Sequence, residues 1–244
     1  MKWEDRNFNH QEPGTIKGLV SIILPTYNRT HFLFERLDEI IKQKYDNYEV
    51  IIVNDGGKSI AELMPRDFRI RLVELPTNSQ TVSIPRAIGI SHAYGEFICH
   101  ADDDVKFHKN KITTLLNHLG DASLVYGNRL ELDIKTGSEI QAPFIENWNP
   151  LLNSGIDNGQ MLYRKSVYEK IPYIISTHAC DFYLAKEIYK DWGPFNSVNE
   201  NVCTYIWHDT NRTYSEGRKH VPLNIEAFKD HFNVHNGVLT IHEK

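Results

Sequence analysis

Asp102-Asp103-Asp104 closes a short apolar run, Phe97-Ile98-Cys99-His100-Ala101. Three adjacent carboxylates repel one another and raise one another's pKa, so such a cluster calls for a cation or strong donors nearby. Hard divalent ions such as Mg2+ or Mn2+ take oxygen ligands and bridge a few carboxylates to substrate phosphates. The chemistry this triplet offers is therefore a metal–diphosphate site. The competing reading is a solvated acidic turn after a strand. The elements that lead into the triplet decide between the two.

Leu19-Val20-Ser21-Ile22-Ile23-Leu24, closed by Pro25, is a nearly continuous aliphatic run. It reads as a strand buried on both faces, as in a parallel sheet. Thr26-Tyr27-Asn28-Arg29 is a polar loop, and Thr30 is placed to cap a helix that carries Leu33, Leu37, Ile40 and Ile41 on one face. Tyr48 to Val53 is a second strand, ending in the turn signal Asn54-Asp55-Gly56-Gly57. Ile70 to Leu75 alternates in part, as a short strand does. Ser83-Ile84-Pro85 opens a helix with a polar cap and a proline in the first turn, and Gly95 ends it. Glu96 to Ala101 is the strand that delivers the triplet. Ile112, Leu115, Leu116 and Leu119 mark a further helix, and Ser123 to Gly127 a strand after it.

The clear elements of the first half thus alternate strand and helix from one strand to a fourth. That order implies a parallel, doubly wound sheet. Ligands of such sheets bind beyond the carboxyl ends of the strands. Three polar clusters fall there: Thr26-Tyr27-Asn28, Asp55-Gly56 and Asp102-Asp103-Asp104. The second half is less regular. Residues 129–157 alternate weakly and carry Trp148 and Pro150 in a loop. Asn158-Gly159-Gln160 precedes Met161 to Arg164. Asp181 to Trp192 reads as a helix stopped by Gly193-Pro194. Trp148 and Trp192 are candidates to stack on a sugar, with core packing the default for Trp192. His231 and His235, four apart, fit a solvated helix face.

The whole chain narrows the classes. Its 244 residues can bury a core without staples. A net charge of −5 with scattered Lys and Arg argues against nucleic acid. Cys99, Cys180 and Cys203 make neither a zinc spacing nor a disulfide framework, which fits a reducing, cytoplasmic setting. No apolar run approaches the ~20 residues of a membrane-spanning helix. Residues 1–18 read as a tail and 216–244 as a polar extension. Peripheral contact with the inner face of a membrane stays open.

Taken in order, these pieces resemble the family 2 glycosyltransferases of the GT-A fold. Val20 to Arg29 looks like their opening strand, and Tyr48 to Gly56 like the second strand with its nucleotide-binding aspartate. Pro85-Arg86-Ala87-Ile88-Gly89-Ile90, then Gly95-Glu96-Phe97-Ile98, is similar to the helix and strand before their DxD motif, which Asp102-Asp103-Asp104 fits. The likeness is strong over about residues 19–110 and looser to about 215. It implies one GT-A domain over 19–215, with a Rossmann-like, mostly parallel central sheet flanked by helices. Residues 19–110 would be its nucleotide-binding half and 111–215 an irregular acceptor half.

The resemblance also implies an activity: inverting, metal-dependent transfer of a sugar from a nucleotide-diphosphate sugar, a UDP-sugar being favoured. The acceptor would be a hydroxyl of a glycan or lipid-linked glycan. Carried over, Thr26, Tyr27 and Asp55 hold the nucleobase, with Pro25 and Asn28 in the same nucleotide-sugar site. Asp102 faces the ribose and doubles as a metal partner, and Asp104 takes the Mn2+ or Mg2+. Asp103 belongs to the sugar-nucleotide site as the least committed of the three, and Arg86 lies near the diphosphate. Asp181 matches the family's catalytic base, a helix N-cap being its other reading. His208 matches the late histidine that GT-A enzymes sometimes use as a further metal ligand, a partly buried or exposed histidine being the other reading. Cys180 stands where the family often has a second acid, and Ala87 where it often has asparagine. Two other classes remain: a phosphohydrolase built on the paired aspartates, and a non-catalytic sugar-nucleotide binding module. Lys106 departs from the usual phosphohydrolase motif.

Overall fold

A computed structural model describes residues 14–153, 155–168, 170, 171, 173, 174, 180–208, 232–235 and 238–241. The aliphatic runs become β1 (Ile16–Thr26) and β2 (Tyr48–Asn54), and the run before the triplet becomes β4 (Gly95–His100). Side chains alternate across a strand, and both faces of these strands are covered. Ile23, Ile51 and Val53 pack on one face against helix α2 (Ser83–Ser91) and α5 (Cys180–Trp192). Ile22, Leu24, Val50 and Ile52 pack on the other, against α1 (Thr30–Ile41) and α3 (Lys111–Leu119). Each such side chain, fully buried, contributes about 1.5–3 kcal/mol.

The sheet also contains β3 (Ile70–Glu74), β5 (Val105–Phe107), β6 (Leu124–Asp133), β8 (Met161–Arg164) and β10 (Asn196–Trp207), with β7 (Ser138–Gln141) paired to β6. The order is β3-β2-β1-β4-β8-β6-β10-β5. β3, β2, β1 and β4 are mutually parallel. β8 runs antiparallel between β4 and β6, with Leu162 opposite both Cys99 and Val125. β6 and β10 are parallel. A short helix α4 (Lys165–Tyr168) follows β8, and β9 (Tyr173–Ile174) pairs with β12 (Val238–Ile241), itself paired with β11 (Phe232–His235).

Several expectations are corrected. The first 18 residues are not all tail, because β1 begins at Ile16; residues 1–13 lie outside the described set. Thr30 is the first residue of α1 rather than its cap; Arg29 holds the cap position, and no side chain caps the helix. Ile41 is 38% exposed, while Arg36 is buried on the same helix between Glu35 and Glu39. Ser83 likewise lies inside α2. Gly95 opens β4 rather than ending α2. A Cβ there would stand 2.7 Å from the Leu19 carbonyl oxygen and 2.5 Å from Ser21 Oγ, so the close approach of β1 requires glycine. Within the weakly alternating stretch 129–157, β6 continues to Asp133 and turns into β7. Trp148 is in the core, stacked at 5.7 Å on Phe195 with Phe182 and Tyr189 at its edges, so it offers no face to a sugar. Trp192 packs partly against the same cluster. His235 lies on β11, a strand; His231 and residues 209–230 lie outside the described residues. The three cysteines are buried free thiols. Among the described residues no helix is long and apolar enough to cross a membrane.

Candidate active site

The parallel strands β1, β2 and β4 end side by side, so Thr26, Asp55 and the aspartate triplet meet at one edge of the sheet. The turn after β4 divides the three aspartates between Arg86 on one side and Arg29 on the other. Asp103 turns towards β1: it is 6% exposed, accepts from Thr26 Oγ1 at 3.0 Å, and pairs with Arg29 Nη1 at 3.1 Å. Burial, helped by the charge of Asp104, pushes its carboxyl up to about 7. By exposed surface Asp103 is the most enclosed of the triplet. Asp102 turns the other way and takes Arg86 Nη2 at 2.6 Å. Burial raises its pKa too, against the pull of Arg86. Asp104 accepts from Arg29 Nη1 at 3.0 Å, and His208 Nε2 stands 3.6 Å from the same oxygen. The His208 ring is buried and stacked on Phe32 at 5.1 Å.

Asp55 is also enclosed. Its Oδ1 accepts the Ser79 amide at 3.0 Å, and its Oδ2 accepts Ser79 Oγ at 2.9 Å and Asn78 Nδ2 at 3.2 Å. It thereby holds the 78–79 loop over the end of β2. Gly56 makes that approach feasible: its φ is +71°, and a Cβ would fall 2.0 Å from the Thr77 carbonyl carbon. Pro25 is buried in β1, opposite Val53. Tyr27 stands 46% exposed at the edge. Asn28 has φ 52°, and its Oδ1 accepts the Lys58 amide at 3.0 Å.

The second half brings Asp181 to the same edge on the first turn of α5. Its Oδ1 accepts the Cys180 thiol at 2.9 Å and lies 3.5 Å from Arg86 Nη1; its Oδ2 accepts the Asn158 amide at 3.3 Å. Burial pushes the Cys180 thiol far up, so it acts as a neutral donor, to Asp181, and itself accepts from Arg86 Nη1 at 3.1 Å. Arg86, almost wholly buried, therefore touches Asp102 with one nitrogen and the Asp181 side with the other.

Three participants lay outside the sequence-derived set. Arg29 was visible only as the end of a polar loop. Asp157 and Arg129, 28 residues apart, form an ion pair that no local pattern announces. Burial and the charges of Asp181 and Asp102 push Asp157 up to about 6, against the opposing charge of Arg129.

The donors present test the fit of a divalent ion. Among the described residues no three His, Cys, Asp or Glu side chains converge into a ready cage. Asp104 and His208 do offer an oxygen and a nitrogen on one side of the triplet. Mg2+-type ions are commonly held by one or two carboxylates completed by substrate phosphates and water. The partial set fits that mode and not an all-protein site. Asp102, Asp103, Asp104, Asp157 and Asp181 outnumber Arg29, Arg86 and Arg129, so an incoming diphosphate meets excess negative charge unless a cation comes with it.

Known proteins are similar to this chain. The profile of the family described as "Glycosyl transferase family 2" matches residues 21–179. The glycosyltransferase GlyG of Streptococcus pneumoniae is 34% identical over 127 residues, which is 49% of this chain and 42% of that protein. The UDP-Glc:alpha-D-GlcNAc-diphosphoundecaprenol beta-1,3-glucosyltransferase WfgD of Escherichia coli is 26% identical over 77% of this chain and 75% of its own length. Among solved structures, residues 1–349 of TarS from S. aureus, in complex with UDP-GlcNAc, superpose with a TM-score of 0.67 at 18% identity, covering 83% of this chain and 61% of that one. The chain thus spans less than half of GlyG and under two thirds of the TarS chain.

Proposed function

The chain belongs to glycosyl transferase family 2, and from that membership we propose that it transfers a sugar from a UDP-sugar to a hydroxyl of a glycan or lipid-linked glycan, with inversion. The observation that carries this reading is the convergence on Arg86. Asp102 at the end of β4 and Asp181 at the start of α5 lie 2.6 Å and 3.5 Å from its two terminal nitrogens. In this reading Asp102 marks the leaving-group side and Asp181 the proton-accepting side, both in contact with one cation.

In the proposed step the acceptor oxygen bonds to the anomeric carbon while the bond from that carbon to the diphosphate oxygen breaks. The electron pair leaves with the diphosphate, and the acceptor proton passes to Asp181. Arg86 and Arg29 offer positive charge to the phosphates. Thr26, Tyr27, Asn28 and Asp55 frame the nucleoside, with Pro25 behind them and Asp103 bracing the frame. Asp104 and His208, with Asp102 from its place beside Arg86 only if it turned towards them, would hold Mn2+ or Mg2+, which would supply charge neutralisation at the leaving diphosphate. Support for the donor class comes from the UDP-Glc in the name of WfgD and the UDP-GlcNAc bound to TarS. The diphosphoundecaprenol acceptor of WfgD favours a lipid-linked acceptor, and with it work at the cytoplasmic face of a membrane.

The test is a panel of nucleotide sugars screened by thermal shift with and without Mn2+. Stabilisation by one UDP-sugar, larger with Mn2+, is the expected outcome. Silence towards every donor would overturn the reading. Phosphate release from simple phosphoesters without sugar transfer would favour the hydrolase. Donor binding with neither transfer nor hydrolysis would favour a binding module.

A further inference from the structure

The 3-10 turn Asn158–Gln160 lies between β6 and the start of α5. Three residues cannot hold such a turn alone, because so few backbone hydrogen bonds form for the dihedrals fixed. Here it is clamped from β6. Gln160 Nε2 donates to the Gly127 carbonyl at 2.8 Å. Gln160 Oε1 accepts Arg129 Nη1 at 3.0 Å and the Asp157 amide at 3.2 Å. The Asp157 side chain accepts the Gln160 amide, closing a capping box, and also takes Arg129 Nη1. Arg129 is itself aimed by Glu131, which accepts Nε at 3.1 Å and Nη2 at 2.9 Å, and Trp207 Nε1 holds Glu131 at 3.2 Å. The braced turn then gives the Asn158 amide to Asp181 Oδ2.

We infer that Arg129 is a positioning residue for the base: by gripping Asp157 and Gln160 together it fixes the turn whose Asn158 N–H aims the Asp181 carboxylate. A carboxylate base acts only within hydrogen-bond reach of the proton it takes, so its direction matters as much as its presence. The grip needs a fork. One Arg129 nitrogen serves Asp157 and Gln160 while the other two rest on Glu131, which a lysine cannot reproduce. The neutralised Asp157 also stops a further unpaired carboxylate from standing beside Asp181.

The inference rests on the reading of Asp181 as base, so its test has one arm that does not use activity. Arg129→Met and Arg129→Lys are made in the full chain and checked for an intact melting transition. Amide exchange at Asn158 is followed by NMR, and transfer is measured with the donor that the panel selects. The expected result for Arg129→Met is exchange at Asn158 at least about 10-fold faster. Its kcat should fall about 10- to 100-fold, the scale of a misplacement near 1 Å, with donor KM within about 2-fold. Arg129→Lys, which keeps the charge and spares the fold, should fall between Arg129→Met and the unmodified protein. Faster exchange with unchanged kcat would make the clamp merely structural and overturn the inference while leaving the enzyme reading intact. Unchanged exchange would overturn the clamp itself. An unmodified protein that transfers nothing would remove the reading beneath it.

Discussion

On the β1–β4 side of the site the carboxylates accept hydroxyl, amide and guanidinium donors at 2.6 to 3.2 Å: Asp55 from Ser79 and Asn78, Asp103 from Thr26 and Arg29, Asp102 from Arg86. On the α5 side Asp181 is held by an amide at 3.3 Å, a thiol and an arginine at 3.5 Å. Carboxylates that accept several charged or hydroxyl donors are fixed in place and spend their lone pairs within the protein. A carboxylate with fewer such donors keeps lone pairs that can meet another group. In the proposed reading the first side presents a frame and the second reacts, with Arg86 in contact with both.

The sharpest break of that contrast is Asp181→Asn. It should lower transfer by about 10²–10⁴-fold, the usual weight of a general base, with the donor-induced thermal shift unchanged; loss of donor binding as well would mean the two sides are not separate. Asp104→Ala should abolish donor turnover and also erase the Mn2+ dependence of that shift, read in the same assay. Arg86→Met should fail on both sides at once. Removing one partner from a buried charged cluster costs about 3–5 kcal/mol, seen in urea unfolding, and both donor binding and transfer should fall. Gly56→Ala places a side chain where φ is +71° and backbone stands 2.0 Å away; a loss of about 1–3 kcal/mol, with weakened donor binding, is expected from the β2 loop alone.

The smallest effect is a pH dependence. Asp103 and Asp157 titrate at about 7 and about 6 in the folded protein, against about 4 in the unfolded chain. The folded form therefore keeps protons that the unfolded form has lost, and stability falls as pH rises from about 4 to about 7. Melting at pH 5 above that at pH 8, with the difference reduced in Asp103→Asn, is the expected observation; a difference that survives Asp103→Asn undiminished would move its cause elsewhere.

The frame was the more legible side. β1, β2 and β4 announce themselves as aliphatic runs because both faces are buried. β10 did not: Asn196-Ser197-Val198-Asn199-Glu200-Asn201 is largely polar, and its pairing with β6 shifts register between Val198 and Asn201 and again before Cys203. A bulged strand loses the period of two that a sequence can display. In the site, the triplet and Asp55 could be found because strand ends mark them. The division of the triplet among Thr26, Arg29, Arg86 and His208 could not, since it depends on which way each residue of the strand end faces. Arg129 and Asp157 meet only once β6 and the 3-10 turn are side by side, a contact with no imprint in local spacing.

The antiparallel strand β8 has a consequence for synthesis. It fills the slot between β4 and β6, with Leu162 bonded between Cys99 and Val125. A nascent chain that has released β1 to β4 still lacks the strand that closes their edge, and an open apolar edge is a template for wrong pairing. That edge is covered only once residue 164 has left the ribosome, and residues 19–110 expressed alone are expected to aggregate through it. Translation pauses within 111–164 lengthen the exposure of the β4 edge, whereas pauses after β8 leave it covered.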